Sequence, residues 1–409
     1  MQLPELLAPA GNLEKLSSAL DFGADAVYAG LEQFSLRAQA DNLNWDDYLT
    51  ALQLCHARGK RLYLTLNAFF RQAELSELTS LARKLATSPP DALIVSDPGA
   101  LATLRSEAPE IPLHLSTQAN TVNAAAIEFW GNHGVTRVNL ARELGFDEMA
   151  AIRKATGVEL EVFVHGAMCV AWSGRCLLSA ALTGRSANRG ACTHPCRWNY
   201  ALVEESRPGE YFPIEEDSRG SYLLNSRDLC LLEELPTLVA AGVDSLKIEG
   251  RMKSPYYVAA VTRVYREALD RLAADPQAWH VEPLWQQELD MVSHRPYGKG
   301  LQGPEHANLY TGDSRYIRHS DFLGRIDALE PTRALLTVRN RFFPGEAIEV
   351  IGPGMRTERL TVAELETEDG RPLEVAQPNQ RVGFAVPDSV SVGDLLRRTT
   401  MDAPEIEGP

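Results

Sequence analysis

Short apolar runs alternate with longer amphipathic segments between residues 1 and 250. Most of these runs are continuously apolar, which is typical of parallel strands that are buried on both faces. Eight runs are predicted to be strands, and they are Glu5–Pro9, Ala26–Gly30, Arg61–Asn67, Ala92–Asp97, Pro112–Asn120, Arg137–Arg142, Glu159–Gly166 and Ser245–Gly250.

Helical patterns occupy most of the intervals between these strands. They follow the capping residue Asn12 and then cover 73–85, 99–107, 123–133 and 147–156, with a last strong amphipathic pattern at 254–274. Repeated strand–helix units in this number predict an α/β fold, a TIM-like (β/α)8 barrel over residues 1–274. An open doubly wound sheet is the competing fold, but no GxGxxG motif follows the first strand.

The interval between the seventh and eighth strands is much longer than the others. Residues 167–244 are therefore predicted to form an insertion after the seventh strand, over the mouth of the barrel. A mixed connector is predicted at 275–320. From residue 321 the apolar residues alternate with polar ones between glycine turns, which predicts six short strands in a small antiparallel β-barrel at 321–400, followed by a tail at 401–409.

Composition and charge limit the classes of function. The chain has 409 residues, 44% hydrophobic and 23% charged, with a formal net charge of −15. No basic and apolar leader and no long apolar run is seen, so a cytoplasmic protein without a membrane span is expected. The acidic balance argues against non-specific nucleic-acid binding over the whole surface, although it leaves room for a local basic footprint.

The insertion contains such a footprint together with four of the six cysteines. Between residues 164 and 200 there is no Asp or Glu, and Arg175 and Arg197 lie close to candidate ligands. An acid-free, arginine-bearing stretch of this kind indicates an anionic partner, a phosphate or a carboxylate. The four cysteines of the stretch are Cys169, Cys176, Cys192 and Cys196.

The spacing of these cysteines favours a metal site over disulfides, because the cytoplasm is reducing. Structural zinc sites usually contain tight CxxC pairs, which are missing here, whereas iron–sulfur clusters tolerate wider spacing. A 4Fe-4S cluster is therefore favoured, with zinc as the alternative and inert buried thiols as a third reading. Cys55 is expected in a helix core, and Cys230 is a spare candidate for the fourth ligand.

Polar residues follow several predicted strands, where a barrel of this kind places its active site. His165, Glu249 and Arg251 are the candidates for catalysis, and Asn67 and Gln118 are candidates for substrate binding. Each could equally be a structural hydrogen-bonding group at a strand end. Motifs of well-known peptidases, HExxH and GxSxG, do not occur.

Several longer motifs resemble the peptidase U32 family, also called collagenase-like proteases. They are LLAPAGN at 6–12, GADAVYAGL at 23–31, EVFVHGAMC and SGRCLLS within 161–179, GACTHPCRW at 190–198 and SLKIEGRMKSPYY at 245–257. The similarity covers nearly the whole chain and includes a C-terminal β-barrel like that of the family.

The resemblance implies RNA chemistry rather than proteolysis. Similar members hydroxylate carbon 5 of the wobble uridine of tRNA without molecular oxygen, take the hydroxyl from prephenate and depend on the iron–sulfur assembly machinery. It implies that Cys169, Cys176, Cys192 and Cys196 hold a 4Fe-4S cluster. The expected partner is the anticodon loop of tRNA, with Arg175, Arg197 and Arg251 receiving carboxylates or phosphate. A peptidase and an RNA-binding protein with structural zinc are the alternatives.

Overall fold

The computed structural model describes residues 3–34, 41–168, 178–185, 192–193, 195, 201–203, 211–213, 227–300 and 316–399. Most of the predicted insertion and the predicted tail at 401–409 lie outside these residues. None of the helices within the described ranges is long and apolar enough to cross a membrane.

Eight parallel strands in the described part of the chain close into a barrel. Strands β1 to β7 pair in chain order, and the last barrel strand pairs with both β1 and β7, so the sheet has no open edge there. The predicted (β/α)8 barrel is confirmed. The strands are β1 Glu5–Pro9, β2 Ala26–Gly30, β3 Arg61–Leu66, β4 Ala92–Val95, β5 Leu113–Leu115, β6 Val135–Asn139, β7 Glu159–Ala167 and β11 Ser245–Ile248.

Helices surround this barrel and begin where the sequence supplies a cap. Asn12, Asn44, Asp97, Asn123 and Ser254 each accept a hydrogen bond from a backbone N–H of the first helical turn. The helices are α1 Leu13–Asp21, α2 Trp45–His56, α3 Leu75–Thr87, α4 Pro98–Glu107, α5 Ala124–Asn132, α6 Phe146–Ala155, α8 Leu235–Ala240 and α9 Pro255–Ala274.

The long interval between β7 and β11 starts and ends at the same place. Strand β10, Asp228–Cys230, runs antiparallel to the end of β7, and Cys230 lies opposite His165. Within the interval lie α7, Leu178–Thr183, and a two-stranded ribbon of β8, Ala201–Val203, and β9, Tyr211–Pro213. After α9 come α10, Pro283–Met291, and β12, Tyr297–Gly298, which pairs with β10.

The C-terminal region is a separate antiparallel sheet. Its strand order is β16-β15-β20-β13-β14-β19-β17-β18, around a core that includes Leu323, Val338 and Phe342. Eight strands are described where the alternation predicted six, because short β17 and β18 flank a turn. The strands are β13 Ser320–Glu330, β14 Arg333–Val338, β15 Ala347–Ile351, β16 Thr357–Thr361, β17 Leu365–Thr367, β18 Pro372–Leu373, β19 Arg381–Phe384 and β20 Leu395–Thr399.

A buried ionic cluster joins this sheet to the helices of the barrel. Glu288 on α10 accepts hydrogen bonds from both terminal nitrogens of the Arg397 guanidinium on β20, at 2.8 and 2.6 Å, and from Arg263 on α9. Arg397 also donates to Glu349 on β15 at 2.7 Å. All four side chains are at least nine-tenths buried, so the charges are matched where water cannot solvate them.

Candidate active site at the carboxyl ends of the barrel strands

The interior of the barrel is polar on the side formed by β6, β7 and β11. The Lys247 Nζ donates to Glu161 Oε1 at 2.8 Å, and the Asn139 Nδ2 donates to the same oxygen at 2.9 Å. Nearer the amino ends of the strands, Arg137 donates to Glu5 at 2.6 Å. These buried charges are compensated within the barrel, which is the condition for keeping them out of water.

Asn139 is held in one orientation by this network. A carboxylate can only accept, so the amide nitrogen must face Glu161 and the amide oxygen must face away from it. Asn139 Oδ1 is buried, and no donor to it is found among the described residues. The last residue of β6 therefore presents a fixed acceptor that a ligand N–H or O–H, or a water molecule, can satisfy.

Two of the predicted catalytic residues lie together at the mouth of the barrel. Arg251, 2% exposed, follows β11 and donates to Thr65 Oγ1 on β3 at 3.0 Å and to Asn42 after β2. Glu249 accepts a hydrogen bond from Tyr28 on β2, whose hydroxyl also donates to the carbonyl of Ile248 at 2.9 Å. The two side chains thus tie the end of β11 to the ends of β2 and β3.

The third predicted catalytic residue, His165, lies on the face of β7 that packs against α9. The register of β7 against β11 shifts between Phe163 and His165, so one extra residue inverts the alternation of the side chains. The His165 ring then packs against the rings of Tyr265 and Tyr257 on α9, with ring centroids 5.6 and 6.0 Å apart. Burial, and secondarily the nearby His294 and Lys253, lower the pKa of His165 to about 3, so the imidazole is neutral at physiological pH.

The glycine after His165 allows β7 and β11 to end close together. Gly166 has a φ of +107°, and a Cβ there would collide with the backbone carbonyl oxygen of Glu249. A glycine is therefore needed directly after His165, because it lets the ends of β7 and β11 approach each other closely.

Asn67 and Gln118, the predicted substrate-binding residues, occupy different parts of the rim. Asn67 directly follows β3, the strand that carries Thr65. Its backbone carbonyl accepts a hydrogen bond from the Ser96 hydroxyl at 2.8 Å. Gln118 follows β5 in a short 3-10 turn, and its buried Oε1 has no donor among the described residues. Both are half-buried, so the rim is polar at the ends of both β3 and β5.

A cleft opens between the ends of β6 and β7. Its lining includes Phe163, Arg142, Met168, Leu229 and Lys299. The Arg142 guanidinium lies 4.0 Å from the centre of the Phe163 ring. Met168 directly precedes Cys169, so the cleft lies where the chain enters the cysteine-rich stretch.

Of the four cysteines predicted to hold a cluster, Cys192 is described, and it is half-buried. Its position next to an ordered segment suits a ligand that must be held in place, and the thiolate chemistry of four cysteines suits an iron–sulfur cluster. The remaining predicted ligands and anion-binding arginines, Cys169, Cys176, Cys196, Arg175 and Arg197, lie outside the described residues.

Cys230, the spare candidate ligand, lies opposite His165 and near the Tyr265 hydroxyl, at 3.9 Å. Burial is the main reason that the pKa of its thiol is raised, to about 11. In the absence of a metal the thiol is therefore protonated at neutral pH.

Sequence reasoning missed the interior residues Tyr28, Asn139, Glu161 and Lys247. A signal for the last three was present: Arg137 with Asn139, Glu159 with Glu161, and Ser245 with Lys247 occupy alternate positions in otherwise apolar strands. Period-two polar residues in parallel strands indicate a polar barrel interior.

The fold and this polar mouth define the chain as a (β/α)8-barrel protein whose site lies at the carboxyl ends of its strands. More specifically, the chain belongs to Peptidase family U32. The family model matches residues 11–309, and the Peptidase family U32 C-terminal domain matches residues 318–397.

Relatives with assigned names extend the comparison. The chain is 36% identical to tRNA hydroxylation protein P1 of Bacillus subtilis, over 97% of this chain and 94% of the relative. It is 35% identical to tRNA hydroxylation protein P of Escherichia coli, over 91% of each chain. The 23S rRNA 5-hydroxycytidine C2501 synthase of Escherichia coli is 39% identical over 66% of this chain and 39% of its own length.

Proposed function

We propose that this protein is an RNA hydroxylase that acts on tRNA. The observation that carries the proposal is similarity to two proteins named for tRNA hydroxylation, at 35–36% identity over at least nine-tenths of each chain. A third relative, named for hydroxycytidine formation in rRNA, matches 66% of this chain and supports the same chemistry.

More specifically, we propose oxygen-independent 5-hydroxylation of the wobble uridine, with prephenate as co-substrate. The C–O bond of the prephenate hydroxyl and the C–H bond at carbon 5 of the base break, and a C–O bond forms at carbon 5, so that hydrogen replaces the hydroxyl in the co-substrate. The base is thereby oxidised by two electrons. The co-substrate is reduced by the same two electrons, so the exchange needs no further oxidant. The base must leave its loop to reach the barrel mouth, and unpaired anticodon nucleotides can do so at low cost.

The residues at the mouth have distinct roles in this proposal. Arg251, held by Thr65 and Asn42, provides a fixed cation for a carboxylate or phosphate, together with Arg175 and Arg197. Glu249, bonded to Tyr28, is placed to hold or release a proton at its carboxylate. Asn67 and Gln118 supply amide contacts to substrate, while His165, buried and neutral, supports the end of β7.

We further propose that Cys169, Cys176, Cys192 and Cys196 hold a 4Fe-4S cluster, which the iron–sulfur assembly machinery installs. A cluster bound there supplies electron transfer and iron coordination, which protein side chains lack. The proposal is supported by the sequence position of Cys169, which directly follows Met168, a residue that lines the cleft together with Arg142.

Nucleoside mass spectrometry of tRNA tests the proposed activity. We expect 5-hydroxyuridine and its derivatives to disappear in a strain that lacks this protein and every other wobble-uridine hydroxylase. They should return with the wild-type gene but not with the Glu249→Gln variant. If the nucleosides do not return with the wild-type gene, the proposal is wrong, and a gelatin-cleavage assay of the same protein then tests the peptidase alternative.

A second experiment tests the co-substrate and the metal separately. Prephenate labelled with heavy oxygen at its hydroxyl should transfer the label to the modified nucleoside, and an unlabelled product would exclude it as the source. Anaerobically purified protein should be brown and contain iron and sulfide. Stoichiometric zinc without iron would instead support the structural zinc alternative.

A further inference from the structure

We propose that Ser179, Thr183 and Thr193 form a hydroxyl clasp that positions Cys192 in its metal site. This inference rests on the proposed function, because it assumes that Cys192 is a cluster ligand. It concerns positioning residues, which act on the cluster through Cys192 rather than by touching it.

The clasp is a compact set of hydrogen bonds between α7 and the residue after Cys192. The Thr193 backbone N–H donates to Ser179 Oγ at 3.0 Å, and the Ser179 and Thr193 hydroxyls lie 3.0 Å apart. The Thr183 hydroxyl lies 3.2 Å from that of Thr193 and donates to the Ser179 carbonyl at 2.7 Å. Ser179 is fully buried, and the two threonines are half-buried.

These contacts fix the peptide that carries Cys192. The Thr193 N–H belongs to the peptide bond that joins Cys192 to Thr193, so its bond to Ser179 restrains the plane of that peptide. The side chain of Cys192 leaves the backbone at its Cα, which is one of the atoms of this plane. A restrained backbone reduces the entropy that the thiolate loses when it binds metal.

The clasp also joins two parts of the cysteine-rich stretch. Ser179 and Thr193 are 14 residues apart in sequence, yet their side chains are in hydrogen-bond contact. Helix α7 begins two residues after Cys176, so the clasp shortens the separation between the chain that leaves Cys176 and the chain at Cys192. Convergence of distant thiolates is what four-cysteine clusters require.

If the three hydroxyls only stabilise the fold, their removal should leave the reactivity of Cys192 unchanged. Two variants separate the two roles. Ser179→Ala removes the acceptor of the Thr193 N–H, and Thr193→Val keeps the shape of threonine and its backbone N–H but removes the hydroxyl that contacts Ser179 and Thr183. Thr193→Ser retains the hydroxyl and should restore the wild-type behaviour. Thr103→Val is the matched control, since Thr103 donates only to a carbonyl within α4.

The first measurement is the rate at which iodoacetamide alkylates Cys192 in metal-free protein, read by peptide mass spectrometry. Alkylation should be several-fold faster in Thr193→Val, and also in Ser179→Ala, than in the wild type and in Thr103→Val. Equal rates in all variants would overturn the clasp, whether or not the protein binds iron.

The second measurement is the loss of iron from anaerobically reconstituted protein to a chelator, followed by visible absorbance. Outer contacts to metal ligands typically change metal affinity about 10- to 100-fold, so Thr193→Val should release iron about tenfold faster. Faster alkylation with unchanged iron release would overturn the link between the clasp and the metal. A wild-type protein that binds no iron would instead overturn the proposed cluster. Thermal melting confirms that each variant is folded.

Discussion

At the scale of single residues, Arg251 joins two walls of the barrel mouth through one planar group. Its two terminal nitrogens reach Thr65 and Asn42, which belong to different parts of the chain. A guanidinium can make both contacts at once in a fixed fork, whereas a lysine ammonium is a single point of charge. The residue therefore combines a structural and an electrostatic role that lysine cannot reproduce.

We expect Arg251→Lys to lower the formation of 5-hydroxyuridine about tenfold or more, because one charged hydrogen bond at the mouth is lost. Nucleoside mass spectrometry of a complemented deletion strain measures this effect. Arg371→Lys is the control, since Arg371 is 77% exposed and pairs only with an exposed aspartate. Equal activity of both variants would show that the charge alone is needed at position 251.

His165 makes stability depend on pH in a predictable direction. Its pKa in the folded protein is about 3, below the ordinary value of 6.5, so the unfolded chain takes up a proton that the folded protein refuses. The contribution of His165 to the free energy of unfolding is complete above pH 6.5. It is lost as the pH falls toward 3. Between pH 7.5 and pH 5 the loss amounts to about 2 kcal/mol.

Replacement of His165 by Phe should remove this part of the acid sensitivity. We expect the free energy of unfolding by urea to fall about 2 kcal/mol less in the variant between pH 7.5 and pH 5. His280→Gln, an exposed histidine, should behave as the wild type. Parallel pH curves of the wild type and His165→Phe would contradict the low pKa.

At the scale of elements, the sequence predicted all eight barrel strands but not the direction of every side chain. Continuous apolar runs are sufficient to locate buried strands. The extra residue between Phe163 and His165 is different, because it becomes visible only in the register of β7 against β11. His165 was therefore correctly placed at a strand end, while its contact with α9 could not be anticipated.

The candidate site was likewise predictable from the sequence only in part. The cysteine-rich stretch and the residues Glu249 and Arg251 could be identified from spacing and strand ends. The fixed acceptor on Asn139 depends on Glu161 from the neighbouring strand, and such a pairing follows from barrel closure rather than from local sequence. β10 was missed because three residues carry too little periodicity to predict a strand.

The ionic cluster between α9, α10 and the C-terminal sheet leads to a stability prediction. Glu288→Gln should destabilise the protein by about 3–5 kcal/mol, because two buried guanidinium groups lose their shared negative charge. Chemical unfolding measures the change. Glu330→Gln removes one of the two carboxylate partners of Arg333 at a site that is 41% exposed, and we expect a change within about 0.5 kcal/mol. Similar effects for both would contradict the assigned role of the cluster.

At the scale of the whole molecule, the net charge of −15 restricts how the proposed RNA substrate can be bound. Repulsion from most of the surface leaves only local cationic residues to contact phosphates. Contacts to the loop of the RNA must then offset the free-energy cost of ordering it, instead of contacts to a broad cationic surface.

The salt dependence of tRNA binding should therefore be shallow. If about three phosphates are contacted, affinity should fall about 40-fold between 50 and 200 mM salt. Fluorescence anisotropy with a labelled anticodon stem-loop measures this slope. A fall of more than about a thousandfold would indicate a broad cationic surface and contradict a local grip.

The pairing of β10 with the end of β7 has a consequence for how this architecture can diversify. Residues 165–167 and 228–230 lie side by side, so the intervening segment joins the barrel through a stem that backbone hydrogen bonds already close. Each doubling of the length of a flexible loop costs only about 0.6 kcal/mol. Changes of length between Cys196 and β10 can therefore be accommodated while the barrel keeps its closure. The stem thus separates the closed frame of the barrel from the segment that carries the predicted cluster ligands.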